Sequence, residues 1–340
     1  LAGLSARPGE RIGDGFGLEA PETVPLMSVQ VEPTAPLTQS ALLAHLREME
    51  EEDPLLSVRP EADGVSLGVM GAVQVEVLQG ILAARFGDVV RMCPPHVLYR
   101  ETIAAPVVGI GHYEPLRHYA EVWLKLEPGA PGSGISFAAD CPPNSLEENW
   151  QRLIRTHVFE RAHPGVLTGS PLCDVRIRLI AGRAHLKHTE GGDFREATCR
   201  AIRNALMQAE NVLLEPVVRF ELAMPNEALA RVTGELLRIG AQLDTSETDG
   251  GETTLTGRCT AAMFWDYPTR FAASTRGHGR IASRFDRYEP CKNQDDMVRQ
   301  SGYDPLADTL NPPGSVFCSH GAGFYVAWDH VREWAHCEVE

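Results

Sequence analysis

Lysine is scarce in this chain of 340 residues: Lys125, Lys187 and Lys292 are the only three, and arginine supplies the rest of the 31 basic residues. None of the three follows a glycine, so the G-x-x-x-x-G-K-[ST] loop that cradles nucleotide phosphates is excluded. A G-x-S-x-G nucleophile elbow and an H-E-x-x-H zinc motif are also missing. No apolar run approaches the ~18 residues of a membrane-spanning helix. The eight cysteines are widely spread, and even the closest pair, Cys318 and Cys337, is too far apart for a zinc ribbon or a dithiol motif. The length of the chain and the lack of a leader favour free thiols in a reducing cytoplasm. The opening, Leu1-Ala2-Gly3-Leu4-Ser5, lacks the charged and apolar regions of a signal peptide. It reads as the interior of a longer chain, and a fragment is expected.

Asp and Glu number 46 against 31 Lys and Arg, a formal charge of −15. A wholly basic nucleic-acid coat is therefore excluded, while local basic patches are not. Acid concentrates in Glu48–Asp53. Base pools in two stretches, Asp174–Arg203 with a formal +3 and Arg270–Lys292 with a formal +4. Most such runs are solvated faces, so only a place in the fold gives them meaning. Cys318 with His320, and His336 with Cys337, would make a Cys/His site if the tail folded back. Their spacing is wrong for a standard finger, and no metal is assigned.

What is present is a repeated order of elements. Leu26–Val31 reads as a strand, and Leu42, Leu43, Leu46 and Met49 fall at helical spacing until Asp53-Pro54. Short strands follow at Leu56–Arg59 and Val65–Val69. Val73, Val77, Ile81 and Leu82 then describe a second helix closed by Gly87, and Val89–Met92 a last strand. The expected core stripe is Leu42, Leu43, Leu46, Val73, Val77 and Ile81. The order βαββαβ folds as two helices on one face of an antiparallel sheet. It recurs from Val217 to Tyr288: strand Val217–Leu222, helix Asn226–Ile239 with Asn226 as N-cap, strands Ala241–Thr245 and Thr253–Thr256, helix Ala261–Arg270 and strand Ile281–Tyr288. Between them, strands near Tyr119–Lys125 and Val175–Leu179 accompany helices near Leu146–Arg161 and Phe194–Ala209. The tail after Cys291 reads as loop with an aromatic end at Phe324–Trp334. Thr275–Arg280 resembles a glycine-rich anion loop, but it runs from helix to strand, the reverse of a dinucleotide fingerprint.

Several blocks resemble one family in its own order. Leu26–Pro33, Glu52-Asp53-Pro54, Gly68–Val77 and Val97–Ile103 look like the third domain of elongation factor G and its relatives. Leu213–Val217 resembles the junction of that family's fourth and fifth domains. Ser274–Arg280 and Phe285–Pro290 are similar to the end of its fifth. The blocks span about residues 10–290. Within the family, Gly71-Ala72-Val73-Gln74-Val75-Glu76-Val77 is most similar to the tetracycline ribosomal-protection proteins, and the first loop of the middle domain, Gly109–His118, lacks the insertion usual in the translocase. One departure stands out: His185-Leu186-Lys187-His188-Thr189 occupies the place of their Tyr-Ser-Pro-Val-Ser tip.

The resemblance implies an α+β protein: residues 1–24 end a β-barrel domain, 25–99 and 217–290 are ferredoxin-like, 100–216 is a ribosome-tip domain with a left-handed βαβ crossover, and 291–340 is an extension. It implies a monomeric ribosome-binding part of a translational GTPase that itself catalyses nothing, contacts no membrane and holds no cofactor, GTP and Mg belonging to an absent G domain. The partners implied are the small-subunit decoding region and the rRNA of the large-subunit stalk base. In the tip, Arg183, Lys187 and Arg195 would surround His185, Leu186, His188 and Thr189, offering cations and flat rings to RNA. In the fifth domain, Arg276, His278, Arg280 and Arg284 would meet rRNA beside Gly277 and Gly279. Two alternatives stay open: a translocation factor or housekeeping paralogue without resistance activity, and an unrelated Cys/His enzyme.

Overall fold

The computed structural model describes residues 25–337 except Ala62 and Asp88; the expected barrel end at 1–24 lies outside the described residues. The chain divides into two compact units. Among the described residues, one joins those up to Leu98 with Glu215–Arg287, and the other joins Tyr99–Leu214 with 288–337.

The first unit begins with strand β1, Met27–Pro33, whose alternate residues Met27, Val29 and Val31 are buried. Helix α1, Gln39–Glu52, starts where the Thr38 side chain accepts the Ala41 N–H, and it buries Leu42, Leu46 and Met49 at i, i+4 and i+7. Pro54–Leu56 is a 3-10 turn rather than the start of a strand. Asp53 accepts the Leu55 N–H and Ser57 is left-handed (φ 43°), so strand β2 shrinks to Arg59–Pro60. Strand β3, Val65–Val69, helix α2, Ala72–Phe86, and strand β4, Val90–Val97, complete the sheet order β2-β3-β1-β4. Gly87 closes α2 at φ 70°, a conformation that costs glycine little.

Half of the expected core stripe is corrected here. Leu42 and Leu46 are buried and Leu43 is partly buried, but α2 turns Leu78 and Leu82 inward. Val73 and Val77 are 54% and 53% exposed, and Ile81 is exposed too. Apolar residues lie all round α2, so its periodicity selects no single face.

The second unit opens with β5, Arg100–Ile103, β6, Val107–Tyr113, β7, Ala120–Pro128, and β8, Ile135–Ala139. Gly109–Tyr113 thus belongs to a strand, and only the stretch after it is loop. Helix α3, Glu148–Phe159, crosses to β9, Val175–Ala184, which pairs parallel with β8 and antiparallel with β7. Helix α4, Gly191–Gln208, lies against β6 at close range. A Cβ on Gly109 would sit 2.1 Å from the Ala201 carbonyl oxygen, and one on Gly111 1.8 Å from that of Ala197. Small residues on both partners, Ala197, Ala201 and Ala205 on the helix, permit that approach.

Strand β10, Asn211–Pro225, starts in this unit, where Asn211–Leu214 pair with β5, and continues into the first. There β11, Gln242–Asp249, and β12, Glu252–Thr260, precede helices α6, Ala261–Phe264, and α7, Tyr267–Ser274, and strand β13, Arg280–Pro290. The order β11-β12-β10-β13 repeats that of the first sheet, as the βαββαβ pattern predicts. Two details differ. A 3-10 turn at Asn226–Ala228 leads into helix α5, Leu229–Arg238, and Asn226 caps nothing: its side chain accepts from Thr253 Oγ1 and donates to the Gly250 carbonyl. The expected helix Ala261–Arg270 breaks before Tyr267, which places Pro268 in a first turn, where its missing N–H costs nothing.

The tail is not loop. It forms helix α8, Gln294–Ser301, strands β14, Ser315–Ser319, and β15, Ala322–Val326, and a short helix α9, Val331–Trp334. His320 (φ 52°) and Gly321 (φ 80°) make the two-residue hairpin turn between the strands. Strand β14 runs parallel to β6, giving a six-stranded sheet β15-β14-β6-β7-β9-β8. Buried arginines clamp the tail to α4: Arg200 donates to the Gly314 carbonyl (2.8 Å), and Arg203 to Tyr303 Oη (2.7 Å).

Candidate functional site

The turn between β9 and α4 carries the first group of candidate residues. Its backbone is tied down from within: the N–H groups of His188 and Thr189 both donate to the His185 carbonyl at 3.1 Å. The His185 N–H donates to Thr189 Oγ1 (2.7 Å), which in turn donates to the Tyr119 carbonyl (2.6 Å). Thr189 is therefore the anchor of the loop. The His185 and His188 rings stack, with centroids 4.6 Å apart at 18°. Leu186 stands at the apex, 101% exposed, and Lys187 beside it is exposed without an ion pair among the described residues. A groove of about 260 Å³ lies beneath, walled by Trp150, Asn144, Ser145, His185 and Thr189. Trp150 and Asn144 escaped the sequence reading because they come from the α3 approach, some forty residues away.

Two cations of this group do not share the apex. Arg195 lies in α4, where its Nε pairs with Glu160 at 2.8 Å. Arg183 is the last-but-one residue of β9, and its guanidinium reaches the His336 carbonyl at 3.5 Å. Below the loop, Tyr119 is buried, which pushes its phenol up from the ordinary value, and its hydroxyl meets His336 Nδ1 at 3.0 Å.

The second group surrounds the end of α7. The Gly277 N–H donates to the Ala272 carbonyl (2.8 Å) and the Arg276 N–H to that of Ala273 (3.2 Å), closing the helix. Arg276 (φ 55°) and Gly277 (φ 79°) take left-handed conformations. The backbone here ends a helix, so the orphan groups are carbonyls and the cradle of N–H donors that an anion loop needs is absent. Gly279 serves packing, since a Cβ there would lie 2.6 Å from the Phe271 ring. Any anion contact falls to side chains. Arg276 and His278 are exposed, whereas Arg280 is paired with Glu252 at 3.0 Å. Arg284 is exposed on β13, where it borders a groove with Arg219.

The Cys/His site that a folded-back tail would have made does not assemble from its four residues. Cys318, His320, His336 and Cys337 do not form a group of three or more metal-ligating side chains among the described residues. The cysteines are free thiols.

Two family models match this architecture: elongation factor G, domain IV, over residues 95–210, and the elongation factor G C-terminus over residues 212–298. The fold is also that of a Thermus thermophilus protein, ttk003000868, in its crystal structure: 25% identical, TM-score 0.68, covering 83% of this chain and 43% of that one. These features define the mixed α+β domain IV and C-terminal portion of an elongation factor G-type protein, and the chain spans less than half the length of the Thermus relative. The two models together span well over half of the residues, and the chain belongs to the elongation factor G family.

Proposed function

We propose that this chain is the ribosome-engaging part of a translational GTPase of the ribosomal-protection type, acting in the cytoplasm, with the β9–α4 loop entering the decoding region and the α7–β13 corner meeting rRNA of the large subunit. The chain itself catalyses nothing; GTP and Mg belong to a G domain outside it. The observation that carries this reading is the apex of the β9–α4 loop. There a fully solvated leucine stands next to a lysine that has no ion pair among the described residues and beside a stacked histidine pair. Flat rings, an apolar tip and one cation are the surface that stacks on unpaired bases and touches phosphate. The likeness of residues 71–77 to the protection proteins supports that branch over the translocase.

Co-sedimentation of the full-length protein with ribosomes tests the reading. Pelleting that depends on a non-hydrolysable GTP analogue is expected. Absence of GTP-dependent pelleting would overturn it, and pelleting without rescue of translation from tetracycline would leave a ribosomal factor but remove the protection role.

A further inference from the structure

The folded-back tail brings His336 to a place that its sequence neighbours do not suggest. One ligand atom each from His112 on β6, Glu121 on β7 and His336 lie within 4.8 Å of one another. His112 and Glu121 are fully buried, while His336 opens to solvent. His112 Nδ1 is 2.7 Å from Glu121 Oε2, and its Nε2 is 3.1 Å from Glu114 Oε2. The His112 ring is held flat on Phe317, with centroids 4.0 Å apart, and edge-on to His336 at 4.8 Å. Glu121 is fixed by Trp123 Nε1 (2.8 Å) and by the N–H groups of His336 (2.8 Å) and Cys337 (2.7 Å).

We propose that His112, Glu121 and His336 form a binding site for a zinc-class divalent ion, which clasps the C-terminal tail to the six-stranded sheet. Imidazole and carboxylate together suit zinc, and two histidines with one carboxylate make a three-ligand site whose fourth position is open. The outer contacts fit the same ion. A metal-bound imidazole directs its other nitrogen to a carboxylate or oxygen partner, and each histidine has one: Glu114 at His112 Nε2, and the Tyr119 hydroxyl at His336 Nδ1. That division leaves His112 Nδ1 and His336 Nε2 for the metal. Two ligands on one zinc stand ~3.3 Å apart at tetrahedral bond lengths. The 2.7 Å pair therefore widens slightly, and the exposed His336 closes the remaining distance. Charge agrees as well, because Glu114 and Glu121 bring two carboxylates to one buried histidine and a divalent ion offsets both. The competing account is a purely hydrogen-bonded latch, in which Glu121 holds His112 and two tail N–H groups with no ion.

The purified full chain, stripped with chelator and titrated with Zn²⁺, separates the two. One equivalent is expected to bind and raise the unfolding midpoint, and Co²⁺ in its place should show the visible absorption of a tetrahedral site. His336→Asn, which keeps an amide near the Tyr119 hydroxyl, should abolish both signals with little loss of folding. Glu114→Gln should weaken Zn²⁺ about 10–100-fold, as expected for an outer partner. If the wild-type chain binds no stoichiometric zinc, or if His336→Asn binds it unchanged through the free thiols, the site is the hydrogen-bonded latch and the metal assignment fails. Neither outcome depends on ribosome binding.

Discussion

Gly111 shows how one missing side chain sets the spacing of two elements. Strand β6 and helix α4 approach until the Gly111 Cα faces the Ala197 carbonyl, with no room for even a methyl group. Gly111→Ala must push the helix away from the sheet, and the expected cost lies at or above the upper end of the about 1–3 kcal/mol typical of overpacking. Chemical denaturation of the wild type and the variant measures it. Leu46 and Val77 form a contrast at the same scale. Leu46 is fully buried, so Leu46→Asp should unfold the first sheet, whereas Val77→Asp on the exposed side of α2 should leave the unfolding midpoint nearly unchanged. Equal losses would mean that α2 presents its other face to the core. Glu101 is a residue whose role only the structure discloses: buried at 1% exposure, its side chain accepts N–H bonds from Leu167, Thr168 and Ser170 and so organises a loop nearly seventy residues on.

At the scale of elements, the β9–α4 loop and the turn after α3 behave differently. The loop contributes little buried surface, so Ala at His185, Lys187 and His188 together should leave thermal stability and GTP-dependent ribosome docking nearly unchanged. It should abolish the ribosomal output of the full-length factor in a translation assay. Full retention of activity would reduce the loop to a passive turn. Past the end of α3, His163 is buried and hydrogen-bonded through Nε2 to the Val158 carbonyl at 2.9 Å. Burial holds its pKa below the ordinary 6.5. The unfolded chain takes up a proton below about pH 6.5 that the folded chain resists, so the stabilisation present above that pH is lost as pH falls through it. Thermal unfolding of the second unit should therefore drop from about pH 7.5 to about pH 5.5 more in the wild type than in His163→Gln. An equal drop in both would assign the acid sensitivity to other groups.

At the scale of the whole molecule, a chain of net charge −15 carries its exposed cations on an acidic body, among them Lys187, Arg276 and Arg284. An acidic surface repels phosphate on the whole, which disfavours non-specific RNA binding and confines attraction to local basic patches. Reversing Arg276 and Arg280 to Glu should weaken ribosome binding and lower the slope of log affinity against log salt by about 0.7–0.9 for each phosphate that is no longer neutralised. Because Arg280 is already paired with Glu252, Arg276 should carry the larger share. Binding curves at several salt concentrations for each single variant and the double variant decide this, and an unchanged slope would make the corner ordinary solvated surface.

Short-range patterns determined much of this protein in advance. Helical spacing at Leu42, Leu46 and Met49, the strand stretches Leu26–Val31 and Val65–Val69, and the recurrence of the same order from Val217 to Tyr288 are enough for two βαββαβ sheets. The helix-to-strand order around Thr275–Arg280 already spoke against a phosphate cradle. These features are set by neighbours within a few positions, where backbone geometry and local burial act directly. What only the tertiary structure decided is of longer range. Helix α2 is apolar on every side, so the sheet, and not its periodicity, chose Leu78 and Leu82 over Val73 and Val77. The tail becomes strand because Val316 finds Tyr113 about two hundred residues upstream, a partner that nothing within Ser315–Ser319 specifies. The same distant register carries His336 away from Cys318 and His320 and sets it beside His112 and Glu121, because long-range pairing is fixed by which buried surfaces fit together, information that no local window of sequence contains.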